Sequence, residues 1–533
     1  MSFRKNNAQQ MSIFDSTYGL TERERKALDR SWAKIFAEDV FPQIDEERFS
    51  VLYSDKASRP NTPVNVIVGA LVIKELFGIS DDEIVDNLML DPRYQMALHT
   101  SSYQEQPLSD KSLSRFRVRC YNYEQTHGVD LYHGCVTGLA EASARMMGID
   151  KRIRRMDSLM VEANIRKLSR MELIYTCISK LVSYLHKNSR DDLIGHMAHY
   201  YDPNDFNKVI YHCSDVDVQE RFDVLFSDAD LLLERCNGSF EDVTEYQLFL
   251  RCISEQTIVE DGKRRLRTKE DGGMTSGILQ NPSDPDATYR EKAGKRHRGY
   301  AGNIEESVGK TGSIVTDYQF NTNNKSDSEF LKEHIDRIGY QEEKTVMITD
   351  GAYSGDGNVS AAAENNIDLI TTDLTGADVD PIMGAFQFSD DGTKVTGCPA
   401  GHAPRSCWYN KKTGQILLSF EREKCAGCPY QMHCHPKIFK RVSKLSVSLK
   451  MKKRALMQNR METAEFKQYA RLRNGVETVP SLLKNRYGVN RMPVHGLIRC
   501  KFYFGCKVAA LNFRKLFRFR KGSGHYALNP ALG

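Results

Sequence analysis

The sequence lacks any apolar run long enough to cross a bilayer: the longest uncharged stretch near the N-terminus, Val64 to Ile73, falls far short of the about 20 residues a spanning helix needs. No apolar h-region stands behind the basic residues of MSFRKNNAQQMSIF, so nothing indicates export, and a cytoplasmic location is expected. The 13 cysteines are odd in number and scattered, which argues against a disulfide framework and for reduced thiols with a metal site. Internal repeats are missing as well, which excludes a repeat array. What remains is a chain of 533 residues, too long for one ordinary hydrophobic core and read as three or four units.

Charge is unevenly spread. From Pro436 to the end there are 23 Lys and Arg against three acids (Glu462, Glu465, Glu477), so the tail carries about +20 and the rest about −15, within a net +5. The basic block is interleaved with Phe502, Tyr503, Phe504, Phe513, Phe517 and Phe519. That is the footprint of a phosphate-backbone partner; a solvated charged helix face is the competing reading.

Residues 1–40 read as a polar arm with one helix starting at a Thr21 cap. Residues 41–145 read as a helical domain, with apolar spacing through VNVIVGALVIKELFG, a stop at Gly78, and a capping box of Ser80 with Glu83. Its segment LSDKSLSRFRVRC places Ser109 or Asp110 before a helix carrying Arg115, Arg117 and Arg119, which suits a DNA-reading head or a structural bundle with a basic face. Residues 150–520 read as an α/β catalytic domain. Its strand RRMDSLMVEANI is followed by amphipathic helices from 171 to about 258, in an insertion reaching 285. Strand and helix signals then give an order β-β-β-α-β-α-β, a mixed sheet needing one more covering helix. That helix follows a cysteine-rich interruption, 376–455, and is expected to run from near Glu462 to Gly488, kinked or restarted at Pro480. A tail, 521–533, ends the chain.

Among 70 acids, position selects three. Asp157 lies in an otherwise apolar first strand, Asp350 at the carboxyl end of the strand VMIT, and Glu477 in the closing helix. Carboxylates facing one crevice suit two-metal phosphoryl transfer, with Mg²⁺ or Mn²⁺ bridging protein and phosphate oxygens. Each acid has a plainer reading: Asp350-Gly351 as a turn, Asp157 as an edge-strand surface residue, Glu477 as the i+4 partner of Arg473. Glu162 alternates to the opposite strand face from Asp157 and reads as a bystander.

RRMDSLMVEANI, ITDGAYSG and RNGVETVPSLLKNRYG, in that order, resemble the three acid-bearing regions of insertion-sequence DDE transposases, in particular the insertion sequence 1182 family. The segments DPDATYREKAGKRHRGYAGNIEE, SLSRFRVR and HGLIRCKFYFGCKVAALNFRKL resemble further parts of that family, so the likeness runs from about 45 to 520. It implies an RNase H-like mixed sheet and a catalytic set of Asp157, Asp350 and Glu477 that holds the metals. It also implies that Arg473 and Lys484 contact phosphates of the transposon end, because cations neutralise charge without competing for metal. Of the family's Tyr-x2-Arg-x3-Glu-x6-Lys signature, Arg473, Glu477 and Lys484 keep the spacing; Ala470 stands where the tyrosine belongs, and Tyr469 sits one residue early.

Cys425, Cys428 and Cys434 form C-x2-C-x5-C, and Cys398 lies 27 residues before Cys425, the spacing of a structural Zn²⁺ site; Cys407, His402, His433 and His435 are alternative ligands. No HExxH accompanies them to suggest a catalytic zinc. The resemblance implies cleavage and strand transfer of DNA at terminal inverted repeats, into target DNA, by a homodimer or larger synaptic assembly. A DNA-binding relative without catalysis and a metal-dependent nuclease on the same fold are the alternatives.

Overall fold

The structure, a computed structural model, describes residues 1–6, 17–56, 58–100, 108–211, 218–292, 294–372 and 378–522. The expected tail beyond 522, and residues 7–16 of the expected arm, lie outside these. The described chain forms two compact units: one holds Met1–Ile338 and resumes at Val476, the other is Gly339–Gly475.

In the first unit the helices begin and end where local chemistry places them. Helix α1 (Glu22–Asp29) starts at Thr21, whose hydroxyl accepts from the Glu24 N–H while Glu24 bonds back to the Thr21 N–H at 2.7 Å. Helix α2 (Val64–Phe77) stops at Gly78, which takes φ 68°, a left-handed value open to glycine. Helix α3 (Asp81–Leu90) opens with the Ser80–Glu83 box, α4 (Asp110–His127) is capped by Ser109, and α5 (Leu131–Met146) by Asp130.

Strand β1 (Ile153–Glu162) precedes the helical insertion, whose helices α6 (Arg170–Lys187), α7 (Val218–Cys236) and α8 (Thr244–Gln256) enclose a core of their own around Ile178, Leu181, Phe226 and Phe249. Next come β2 (Thr288–Lys292), β3 (Lys295–Gly309), β4 (Gly312–Thr322) and α9 (Asp327–Ile338). Strand β3 is the spine of this sheet, antiparallel to β2, β1 and β4. It is buried from Gly299 to Val308, so both of its faces require cover.

The second unit pairs β5 (Thr345–Thr349) in parallel with β6 (Ile367–Thr371), through the crossover helix α10 (Asp356–Glu364). A separate antiparallel sheet follows, β7 (Ser406–Asn410), β8 (Gln415–Glu421) and β9 (Val442–Ser448), over a small core of Phe386, Ile416, Leu418, Phe420 and Val447. Helices α11 (Leu449–Met461) and α12 (Ala464–Asn474) complete this unit. Back in the first unit stand α13 (Thr478–Asn485) and α14 (Leu497–Arg520). Both antiparallel and parallel pairing are present, in an α/β protein whose core elements follow the predicted order with one strand added, β2.

Three expectations change. The closing helix restarts, as expected, but the restart comes before Pro480: α12 ends at Asn474 and α13 starts at Thr478, so Pro480 sits in a first turn, where its missing N–H costs nothing. The N-terminal helices do not close a core apart from the sheet, because one apolar cluster joins Phe36, Val68, Tyr132, Ile304 and Phe504. The physical reason is α14, which is buried around much of its circumference and must be covered by α2 and α5 as well as by β4.

The third change concerns the basic tail. Phe502, Tyr503, Phe504 and Phe513 are core residues. Lys501 pairs with Glu124 and Asp130, Lys507 with Glu75 at 2.5 Å, Lys515 with Glu306, and Arg520 with Asp39 at 2.7 Å. Four of the seven cations of α14 are therefore neutralised inside the first unit, so this part of the basic block is at least in part internal counter-charge.

Close approach of α14 to the sheet needs Gly302 in β3, where a Cβ would stand 2.7 Å from Cζ of the Phe504 ring. Gly302→Ala is expected to lower stability by about 1–3 kcal/mol through overpacking, read as a shift of the denaturation midpoint at constant slope. An unshifted midpoint would show that the helix can move aside.

Candidate active site

On β1, Asp157 is half-buried, registers against Ile304 of β3, and accepts from the Ser158 N–H at 3.0 Å. Helix α13 packs on β1 through the buried Val479 and Leu483, and Lys484 is presented toward the same strand. Burial pushes the Lys484 ammonium below its ordinary range; Lys292 and Lys295 push the same way, while Glu162 and Asp157 oppose them. Both carboxylates thus lie within electrostatic reach of Lys484, although Glu162 alternates to the other face of the strand. Glu162 shares a 2.6 Å hydrogen bond with Nδ1 of His297. Lys292 lies 3.4 Å from the Ser158 hydroxyl and 3.5 Å from the buried Asp327 carboxylate.

Lys292, Lys295, Glu162 and His297 were not selected from the sequence. The signal for Lys292, Lys295 and His297 is the basic run KAGKRHRGY, which reads as strand-forming; Glu162 reads as a bystander. Three lysines crowded against one another are stabilised by a polyanion. Replacing Lys292 and Lys295 together by alanine is expected to reduce the salt dependence of DNA affinity by about two phosphate contacts. Titrations across several salt concentrations check this, and an unchanged slope removes these lysines from the site.

Glu477 is exposed, immediately before α13, and makes no capping bond. In the second unit Asp350 follows β5 directly. Its Oδ1 accepts from the Ala352 N–H at 2.9 Å, and its Oδ2 lies 3.7 Å from the Arg473 guanidinium of α12. Arg473 is thus the partner of Asp350, and the helix bearing it ends before Glu477. The structure brings Asp157 together with Lys484, and Asp350 with Arg473; these two pairs belong to different units.

Of the three arginines on α4, Arg115 is exposed. Arg119 lies over the Tyr53 ring at 4.8 Å. Arg117 is a correction: it is buried, forked onto Asp81 and stacked near Tyr503, so it packs the helix and has no face left for phosphate.

Cys398, Cys425, Cys428 and Cys434 line one small cavity of the second unit, with His402 beside them. Burial raises the Cys434 thiol to about 11, and Cys428, Cys398 and Cys425 add to it. Cys425 is raised by burial first, then by Cys398 and Cys428. Four sulfurs lining one cavity are a donor set that suits a soft divalent cation. As they stand, no three or more His, Cys, Asp or Glu side chains among the described residues are arranged to hold a metal ion.

Comparison with known families places both ends of the chain. Residues 397–517 match the transposase DDE domain. Residues 24–119 match a second transposase family, the transposase domain DUF772. Together they support an insertion-sequence transposase, for which DNA is the substrate. The DDE-domain match takes in Glu477, Arg473, Lys484 and the four cysteines, but stops short of Asp157 and Asp350. Neither a curated protein nor a solved structure matches the chain. Among the described residues no helix is long and apolar enough to cross a membrane.

Proposed function

We propose that this protein is a DDE transposase of the insertion sequence 1182 type, with an RNase H-like catalytic core, which cuts and joins DNA at the ends of its own element in the cytoplasm, at the nucleoid. The observation carrying the reading is the match to the transposase DDE domain across the region that bears Glu477 with Arg473 and Lys484 at the family's spacing.

In this reading Asp157, Asp350 and Glu477 hold Mg²⁺ or Mn²⁺, which would activate the attacking oxygen and stabilise the leaving one. The carboxylates suit this role: Asp157 and Asp350 are half-buried at or beside strands, and Glu477 is open to solvent. Arg473 orients the Asp350 carboxylate and supplies charge to a phosphate, while Lys484, with Lys292 and Lys295, neutralises the DNA backbone beside Asp157. Water is the first nucleophile and the freed 3′ hydroxyl the second. Arg115 and Arg119 contribute to end binding from α4. The Cys398, Cys425, Cys428 and Cys434 sulfurs would hold a structural Zn²⁺ if they close around it, and two or more copies pair the inverted repeats before joining them to target DNA.

The test incubates purified protein with a labelled duplex carrying the ends that flank its gene, with Mg²⁺, with Mn²⁺, or with EDTA. Cleaved and joined strands that need the metal support the reading. Cleavage without joining favours the nuclease, and tight binding with no product under any condition favours a non-catalytic DNA-binding relative.

A further inference from the structure

The second unit contains an open groove of about 710 Å³ that the reading above does not use. One wall is a single face of α11, with Lys450, Lys453, Arg454, Met457 and Arg460 at helical spacing. The opposite wall is one face of α10, from Asp356 to Ala363, and strand β6. Helix α11 carries five cations and no acid. Two acids line the groove: Asp368, 2.6 Å from Arg460, and Asp356, 3.9 Å from Lys453. Arg454 lies 3.9 Å from Asp378, a carboxylate 90% exposed and heavily screened by solvent. Lys450 has no acidic partner among the described residues. Between the charged rims lie aliphatic side chains that water reaches, Val359 at 46% and Leu456 at 49% exposure, with Ala363 and Met457.

A cationic rim over an aliphatic floor selects its occupant. Phosphates satisfy the rim, but a duplex keeps its base faces stacked inside and would leave the floor uncovered. An unpaired strand offers phosphates and apolar base faces together; grooves that bind single strands meet the faces with aromatic rings, and here aliphatic side chains stand in that place. A folded protein partner would need acidic side chains and a ridge at matching spacing, whereas a nucleic-acid strand has both in every nucleotide. The groove also starts at Ser354, which bonds to the Gly351 carbonyl at 2.8 Å, four residues after Asp350. We infer that this groove binds a short stretch of single-stranded DNA and guides it to or from Asp350. Only that direction rests on the transposase reading; the binding itself does not.

The experiment measures fluorescence anisotropy of a labelled oligothymidylate and of a duplex of equal length, with the full chain in EDTA so that no chemistry intervenes. Lys453→Glu combined with Arg454→Glu is expected to weaken single-strand binding at least about tenfold. Val359→Asp combined with Leu456→Asp is expected to weaken single-strand binding more than duplex binding, because only the unpaired strand reaches the floor. Lys450→Glu alone, on an exposed turn, gives the same direction if the double variants melt early. Unchanged single-strand affinity in the charge variants overturns the inference, and so does an equal loss for duplex and single strand in the aliphatic variant. Wild-type groove-variant binding alongside cleavage lost in Asp350→Asn fells the groove and leaves the enzyme. Groove-dependent binding by a protein that never cuts DNA does the reverse.

Discussion

Asp157→Asn and Asp350→Asn, each alone, are expected to lower metal-dependent DNA cleavage about a thousandfold or more, without changing the affinity for the same DNA in EDTA. A carboxylate that holds a catalytic cation contributes several kcal/mol to charge stabilisation in the transition state, and about 4 kcal/mol is already a factor of a thousand. The amide keeps the local structure. At Asp350 the Oδ1 that accepts from the Ala352 N–H is retained, so the turn after β5 stays closed and only the Arg473 attraction is lost. At Asp157 the bond from the Ser158 N–H survives in the same way. Glu477→Gln should behave alike, since that side chain makes no capping bond whose loss could unfold α13. Single-turnover cleavage of end-labelled DNA reads all three. A variant that cuts at the wild-type rate while folded is not in the catalytic set, and loss of binding in EDTA would move that residue from chemistry to structure.

The legible parts of this molecule were those set by local rules. The Thr21 cap, the Ser80 box, the Gly78 stop and the position of Asp350 at a strand end follow from short-range hydrogen bonding and periodicity, and the structure has them. The illegible parts depend on long-range pairing. Nothing near Lys507 or Lys515 in the sequence says that Glu75 and Glu306 neutralise them, so a block that reads as a polyanion footprint is in part an internal counter-charge. Arg117 failed for the same reason, its partner Asp81 being 36 positions away. Strict alternation put Glu162 opposite Asp157, yet Lys484, brought in by α13, reaches both. The cations of α11, with fewer close acidic partners, are where the tail's remaining charge faces a groove.

Replacing Glu306 by leucine is expected to destabilise the first unit by about 3–5 kcal/mol, because it takes the shared carboxylate from two buried cations at once. Glu306 lies fully buried in β3, accepts from Arg155 Nε at 2.6 Å, and also pairs with Lys515. Burial alone would raise its carboxyl, but Lys515 and Arg155 outweigh burial and hold it at about 2. Its contribution is therefore complete above the unfolded value of about 4.3 and is lost as pH falls through the folded one. His334 gives the opposite arm. Burial pushes its imidazole down, yet Glu305 at 2.5 Å and Asp317 carry it up to about 9. That contribution is complete below about 6.5 and is lost as pH rises through the folded value. Between about 4.3 and 6.5 both groups act fully, and denaturant midpoints across pH should flatten there as far as these two residues are concerned. His334→Gln should remove the decline above that window; on the acid side it should also remove stabilisation from Glu305 and Asp317, whose carboxyls His334 helps hold low, while the part due to Glu306 stays. For Glu306→Leu the decisive control is the apolar triple variant that adds Arg155→Met and Lys515→Met. It should recover much of the lost stability, since volume is kept and no charge is left buried alone. A single variant within about 1 kcal/mol of wild type, or a triple variant no better than the single, would mean that water already reaches this cluster and that its charges are solvated rather than paired.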